Sequence, residues 1–169
     1  MTRLIIVALI AFSALTPQVR GGGALSGQFH LCVDDHATVF LNGKPLMEGH
    51  WVASRKITKS AEVPIEIGDH LVFQLRNTGG ARFVAIQFVS SDLKTIISFP
   101  VSAFKQLANP AAKDFSPTSL DFGNLSTAKK RGGAVYLPFK SDSEGAWGET
   151  DVCALGVVIK AEMIKPMKK

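Results

Sequence analysis

The most informative part of the sequence is residues 34–46, which read Asp-Asp-His-Ala-Thr-Val-Phe-Leu-Asn-Gly-Lys-Pro-Leu. Ala37, Val39 and Leu41 recur at every second position, so they share one face of a strand. Asn42-Gly43 follows directly, and this dipeptide tolerates the positive φ angles that a two-residue hairpin turn requires. The segment therefore predicts an antiparallel β-hairpin.

Short alternating or apolar runs continue on both sides of this hairpin. They predict strands at residues 28–33, 37–41, 61–67, 70–76, 82–89, 94–99, 134–139 and 152–163. Gly68-Asp69 separates two of these runs and predicts a second hairpin. Residues 83–89 are apolar on both faces, which is typical of a buried central strand, and residues 108–133 predict a long packed loop. No long helix is predicted, so the fold class is all-β, an antiparallel β-sandwich.

The chain of 169 residues, 46% of them hydrophobic, is long enough for one domain with a substantial core. Residues 1–24 carry an early arginine, a short apolar run and a stretch of small residues, a pattern that predicts a secretory signal peptide. We expect the domain to span residues 25–164, followed by a basic tail at 165–169. The predicted localisation is secreted or extracellular, with no membrane span after removal of the signal peptide.

The charge of the chain argues against nucleic acid as a partner. Removal of residues 1–24 takes away Arg3 and Arg20 and no acidic residue, so the net charge falls from +5 to +3. A nucleic-acid-binding protein usually has a basic stripe with interleaved aromatic residues. The compact basic clusters here, Lys129-Lys130-Arg131 and residues 165–169, are better interpreted as a solvated loop and tail.

Two cysteines, Cys32 and Cys153, lie near the two ends of the expected domain. In an oxidising destination they predict a disulfide, which would close a loop of about 120 residues and contribute about 4–5 kcal/mol in the chain-entropy treatment. The strand alternation does not favour this pairing, because Cys153 falls on an apolar face whereas Cys32 alternates with Leu31 and Val33. Two separate buried thiols are the alternative.

The sequence contains none of the common catalytic motifs, whether nucleophile elbow, phosphate-binding loop or zinc-protease helix. We therefore expect a protein that is not an enzyme and has no cofactor. Asp34 and Asp35 are hard oxygen ligands, so a structural Ca²⁺ is a candidate there. A turn role is the preferred interpretation, because aspartate side chains often cap the backbone of turns.

Recognition of a sugar would require an exposed aromatic ring and adjacent polar groups. Trp51 is the first candidate, since His50 precedes it and Arg55 follows it closely. Trp147 lies between small residues and is better explained by packing at one end of the sandwich.

Several of these segments, taken together, resemble a known family. The hairpin "VFLNGKPL" at 39–46, Trp51, the strand "GDHLVFQLRN" at 68–77 and Gly79-Gly80 occur in the order seen in galactose-binding-like jelly-roll domains. Such domains are attached to many secreted glycoside hydrolases and bacterial surface proteins, are non-catalytic, and only some of them bind sugar. The resemblance is strongest over residues 33–89, about one third of the chain.

The resemblance implies a scaffold and not a site, so it assigns no binding residue. The function we expect is a secreted, non-catalytic carbohydrate-binding or carbohydrate-proximal module. The alternative is a structural or protein-interaction domain of an extracellular assembly, without a sugar site. Carbohydrate or an extracellular protein is accordingly the expected partner.

Overall fold

The structure, a computed structural model, describes residues 23–51, 57–107, 128–130, 137–138 and 143–167. Its strands are β1 (Leu25–Asp34), β2 (His36–Leu41), β3 (Lys44–His50), β4 (Thr58–Lys59), β5 (Val63–Ile65), β6 (His70–Arg76), β7 (Phe83–Ser90), β8 (Thr95–Ser98), β9 (Lys105–Leu107), β10 (Lys129–Lys130), β11 (Ala146–Trp147), β12 (Val152–Val158) and β13 (Ile164–Pro166). Two 3₁₀ turns occupy Val101–Ala103 and Ala161–Met163. Most of the predicted strand at 134–139 and of the predicted loop at 108–133 lies outside the described residues. In the parts that are described, Leu137 and Pro138 are not in a strand, and Lys129–Lys130 form β10 instead of a loop.

The strands form two antiparallel sheets, which confirms the predicted all-β sandwich. The five-stranded sheet has the order β3-β2-β6-β12-β9. In the eight-stranded sheet β1 pairs with β4, β5 and β7, while β7 also pairs with β8 and β11. The core between the sheets includes Phe29, Leu31, Val33, Ala37, Val39, Leu71, Phe73, Leu75, Val84, Ile86, Phe88, Leu155 and Val157.

The predicted β2–β3 hairpin is confirmed, and its turn shows why the sequence forms it. Asn42 and Gly43 have φ angles of 50° and 77°, the positive values of a type I′ turn. Ala37 and Val39 point into the core, whereas His36 and Thr38 alternate with them and point outward. Alternation thus places a row of polar side chains on the outer face of the five-stranded sheet.

Strand β7 is the buried central strand that the sequence predicts. All eight of its residues are buried, and it lies between β1 on one side and β8 and β11 on the other. Its outward-facing residues, such as Ala85 and Gln87, are as inaccessible as its core-facing ones. The continuous apolar run therefore reflects burial on both faces of the sheet.

The second predicted hairpin, at Gly68-Asp69, is wrong. Strand β5 pairs with β1 in one sheet, whereas β6 pairs with β2 and β12 in the other. The turn between them carries the chain across the sandwich: Glu66 N donates to Asp69 Oδ2 at 2.8 Å, and Gly68 N donates to Ile159 O at 2.8 Å. A Gly-Asp turn can therefore connect strands of two different sheets, as here, as well as the two strands of a hairpin.

The predicted Cys32–Cys153 disulfide is not present, and the positions of the two cysteines explain why. Cys32 lies on β1 of the eight-stranded sheet and Cys153 on β12 of the five-stranded sheet, both buried and not bonded to each other. Cys153 faces the core, whereas Cys32 alternates with the core residues Leu31 and Val33 and therefore points away from it. Packed sheets lie about 10 Å apart, and a disulfide needs Cα atoms within about 7 Å and Cβ atoms that face each other.

The end of the chain differs from the predicted long last strand at 152–163. Strand β12 ends at Val158, and the chain then crosses through a 3₁₀ turn to β13, which pairs with β8. β13 extends to Pro166, two residues beyond the predicted domain boundary at 164. Within the described ranges, no helix has the length and apolarity that a membrane span would need.

Candidate functional site

A group of polar and aromatic side chains gathers where the chain passes from one sheet to the other. Strand β1 ends at Asp34 in the eight-stranded sheet, and β2 begins at His36 in the five-stranded sheet. Strand β3 returns along β2 and ends at His50, directly opposite His36. The backbone N–H of Trp51 then donates to Asp35 O at 2.7 Å. We call this group, Asp34, Asp35, His36, Glu48, His50 and Trp51, the corner site.

Trp51 is partly exposed at the corner site, which is the environment that a ligand-contacting aromatic residue needs. Its ring lies 6.3 Å from the ring of Phe83 at an interplanar angle of 74°, so it packs edge to face against the first residue of β7. His50 beside it is exposed. Arg55, the third residue of the predicted sugar site, lies outside the described residues.

The carboxylate of Asp35 is hydrogen-bonded to a residue that is distant in the chain. Its Oδ2 accepts hydrogen bonds from the backbone N–H of Thr78 at 2.6 Å and from Thr78 Oγ1 at 2.5 Å. These hydrogen bonds are the main reason that the pKa of Asp35 is lowered. The contact differs from a local turn cap, because Thr78 lies 43 residues further along the chain, and the carboxylate instead fastens the loop that follows β6.

The pKa of the Asp34 carboxyl is shifted in the opposite direction from that of Asp35. Burial, together with hydrogen bonding to and repulsion from Asp35, raises the pKa of Asp34 to about 6. A carboxyl with this pKa can act as a hydrogen-bond donor or as an acceptor toward a hydroxyl group in mildly acidic solution.

His36, Glu48 and His50 form a second cluster within the corner site. Their ligand atoms all lie within 4.8 Å of one another, and the two imidazole rings are 4.3 Å apart at an interplanar angle of 65°. Burial is the main cause that lowers the pKa of His36, helped by the charges of His50 and Arg76 and opposed by that of Glu48. The lowered pKa favours the neutral imidazole, the form in which a ring nitrogen can bind a metal.

The sequence analysis did not predict this cluster, although it named His50 as a candidate for the sugar site. Counting outward from the Asn42-Gly43 turn in a regular hairpin places His36 opposite Gly49. The structure contains a register shift between Val39 and Phe40, so Leu46 is an extra residue on β3 and His50 moves into line with His36. Pro45 next to the shift has no N–H to donate to the ladder, which is a local signal for such an irregularity.

The other sequence candidates lie elsewhere. Trp147 is fully buried in the core, and its Nε1 donates to Thr150 O at 2.9 Å, so it is part of the scaffold. A separate cleft of about 370 Å³ lies beside the outer face of the eight-stranded sheet. Its polar lining includes Gln28, His30, Lys59, Glu62, Ser90 and Ser91.

Comparison with protein-family models, curated proteins and solved structures finds no match to this chain. The corner site is therefore interpreted from its own chemistry.

Proposed function

We propose that this protein is a secreted, non-catalytic carbohydrate-binding module that holds its ligand at the corner site. The observation that carries the proposal is a partly exposed indole, Trp51, which packs edge to face against Phe83 and follows the exposed His50 directly in the chain. Its backbone N–H donates a hydrogen bond to Asp35 O, so the Asp34-Asp35 segment lies next to it. Residues 33–89 resemble galactose-binding-like jelly-roll domains, some of which bind sugar, so the scaffold is compatible with this function. Secretion rests on the predicted signal peptide.

The corner site offers the two kinds of contact that sugar recognition needs. An indole presents a flat apolar surface on which the C–H face of a pyranose can stack. Carboxyl and imidazole groups of neighbouring residues can exchange hydrogen bonds with hydroxyls, and the pKa of Asp34, raised to about 6, lets its carboxyl donate as well as accept in mildly acidic solution. Because Trp51 is partly exposed and His50 is exposed, a bound sugar would stay largely in contact with water, and a single site should bind weakly.

The test is binding of the purified protein to a glycan array, followed by titration of the best ligand into wild type and variants. Trp51→Ala should abolish binding. Trp51→Leu should also abolish it, while keeping an apolar side chain against Phe83 and so preserving the fold. Circular dichroism and thermal unfolding of both variants would show that the sandwich remains intact.

Glu62→Gln is the matched control, because Glu62 lines the separate cleft on the eight-stranded sheet. It should bind the glycan like wild type. Loss of binding in Glu62→Gln with retention in Trp51→Leu would move the site to the cleft. Failure of the wild type to bind any glycan would instead favour the alternative, a protein-interaction or structural domain.

A further inference from the structure

His36, Glu48 and His50 project from the same surface of the five-stranded sheet. His36 and His50 are directly opposite each other in the β2–β3 ladder, and Glu48 precedes His50 by two positions on β3. Residues two apart on a strand point to the same face, and opposed residues on neighbouring strands have adjacent side chains. Since Ala37 and Gly49 face the core, this triad faces outward, at the edge of the sheet.

We propose that His36, Glu48 and His50 bind one zinc ion, with a fourth position left open to water or to an oxygen of a bound ligand. Two imidazole nitrogens and one carboxylate oxygen form a donor set that zinc accepts in sites with an open position. Hard cations such as Ca²⁺ and Mg²⁺ prefer shells of oxygen ligands, so they fit this donor set poorly. The inference does not depend on the proposed carbohydrate function.

The geometry requires only a small adjustment of side chains. With bonds of about 2.0–2.1 Å, the ligand atoms of a tetrahedral zinc ion lie about 3.3 Å apart. The three ligand atoms already lie within 4.8 Å of one another without an ion. Glu48 and His50 are exposed and can rotate, whereas His36 is half-buried and supplies the fixed point.

The backbone beneath the triad is held by core packing. Gly49, between Glu48 and His50, is buried against the other sheet, and a Cβ atom built on it would approach Leu31 Cδ2 to 2.5 Å. This close approach fixes the end of β3 over the core. The two ligands on β3 are therefore presented from a rigid strand and not from a loop.

Nearby charged groups affect the affinity of this site for zinc. Arg76 lies opposite His36 on β6, and its positive charge disfavours a cation nearby. Glu48 supplies the compensating negative charge. Neutralising Glu48 should therefore weaken the site through the loss of both a ligand and a charge.

The experiment is calorimetric titration of ZnCl₂ into the untagged, metal-free protein, with CaCl₂ titrated in parallel. Wild type should bind one zinc ion per chain and should bind calcium much more weakly. His36→Ala, His50→Ala and Glu48→Gln should each weaken zinc binding by at least about tenfold, since even outer-shell changes at zinc sites commonly cost that much. Zinc should also raise the melting temperature of wild type and leave that of the three variants nearly unchanged.

His70→Ala is the matched control. His70 lies at the other end of the same sheet, six residues along β6 from Arg76, and the hydrogen bond that ties it to Asn42 uses its backbone N–H. This variant should bind zinc like wild type. The proposal is overturned if wild type binds no zinc, if calcium binds as tightly, if any of the three variants keeps wild-type affinity, or if His70→Ala loses it. Because all four residues are at the surface or half-buried, melting curves without metal would show that each variant is folded.

Discussion

Asn42 and Asp69, 27 residues apart in sequence, join the β2–β3 hairpin turn to the turn that carries the chain between the sheets. Asn42 Nδ2 donates to Asp69 Oδ1 at 2.9 Å, and Asn42 Oδ1 accepts from the backbone N–H of His70 at 3.0 Å. Asp69 is buried, and its other oxygen accepts from Glu66 N. One side chain of a hairpin turn thus helps to fix where β6 begins.

We expect Asn42 and Asp69 to be energetically coupled. A double-mutant cycle of Asn42→Gly, which preserves the positive φ angle, and Asp69→Ala should give a coupling energy of about 1–2 kcal/mol, measured by urea unfolding. The cycle of Asn42→Gly with Glu62→Ala should be additive, because the Glu62 carboxylate accepts hydrogen bonds from Ser26 and Ser91 at the other sheet. Additivity in the Asn42–Asp69 cycle would contradict the proposed link between the turns.

Gly43→Val should destabilise the protein by about 1–3 kcal/mol, because a β-branched residue resists the φ of 77° at this position. The melting temperature measures the effect. Lys44→Val, at the next position on β3, should be tolerated. So should Leu93→Gly, which relieves a φ of 57° in an exposed leucine. An unchanged melting temperature for Gly43→Val would argue against the type I′ turn.

Reductant should leave the melting temperature unchanged, because Cys32 and Cys153 lie on different sheets and are not joined. Thiol labelling of the denatured protein without reductant should modify both cysteines. If no protein molecule had a labelled thiol, the two cysteines would be joined, and the strands that carry them would be arranged differently from those described above.

Trp147→Ala should cost about 3–5 kcal/mol of unfolding free energy, because the side chain is fully buried and the cavity left behind cannot collapse completely. Trp51→Ala should cost much less, since Trp51 is partly exposed. Chemical denaturation of the two variants measures the difference. Equal losses would mean that both tryptophans belong to the scaffold and would weaken the proposed role of Trp51.

The stability of the protein should decline at acidic pH partly through His30. Burial, and secondarily the charge of Lys59 opposite it on β4, lowers the pKa of His30 in the folded state. The unfolded chain then takes up this proton more readily, so stability is complete above the unfolded pKa of about 6.5 and is lost as the pH falls through it toward the folded pKa.

The measurement is the difference in unfolding free energy between His30→Gln and wild type from neutral to mildly acidic pH. This difference cancels the contributions of other groups and should shift in favour of the variant as the pH falls. Lys59→Gln should keep most of the wild-type dependence, because Lys59 is the smaller cause. A difference that is independent of pH would contradict a depressed pKa of His30.

The strands themselves could be predicted because the signals that specify them are local. The alternation at 70–76 predicts β6 with its observed bounds. The run at 83–89, which is apolar on both faces, predicts the buried strand β7 to within one residue. Asn42-Gly43 specifies its turn through the φ preferences of two adjacent residues. In each case the relevant physics acts within a few residues, so the amino-acid sequence is enough.

Strand pairing could not be predicted in the same way, since it depends on partners distant in the chain. Gly68-Asp69 is compatible with either a hairpin or a crossing, and the hydrogen bond from Gly68 N to Ile159 O is part of the crossing that is formed. The relation between Cys32 and Cys153 depended similarly on which sheet each strand joined.

The corner site shows most clearly which features follow from the sequence and which depend on the folded structure. The sequence alone established that Trp51, His50 and the Asp34-Asp35 pair flank the first hairpin, because they are close to it along the chain. Only the folded structure placed His36 opposite His50, since one extra residue at Leu46 shifts the register of β3 by one position and so changes the partner that every later side chain faces.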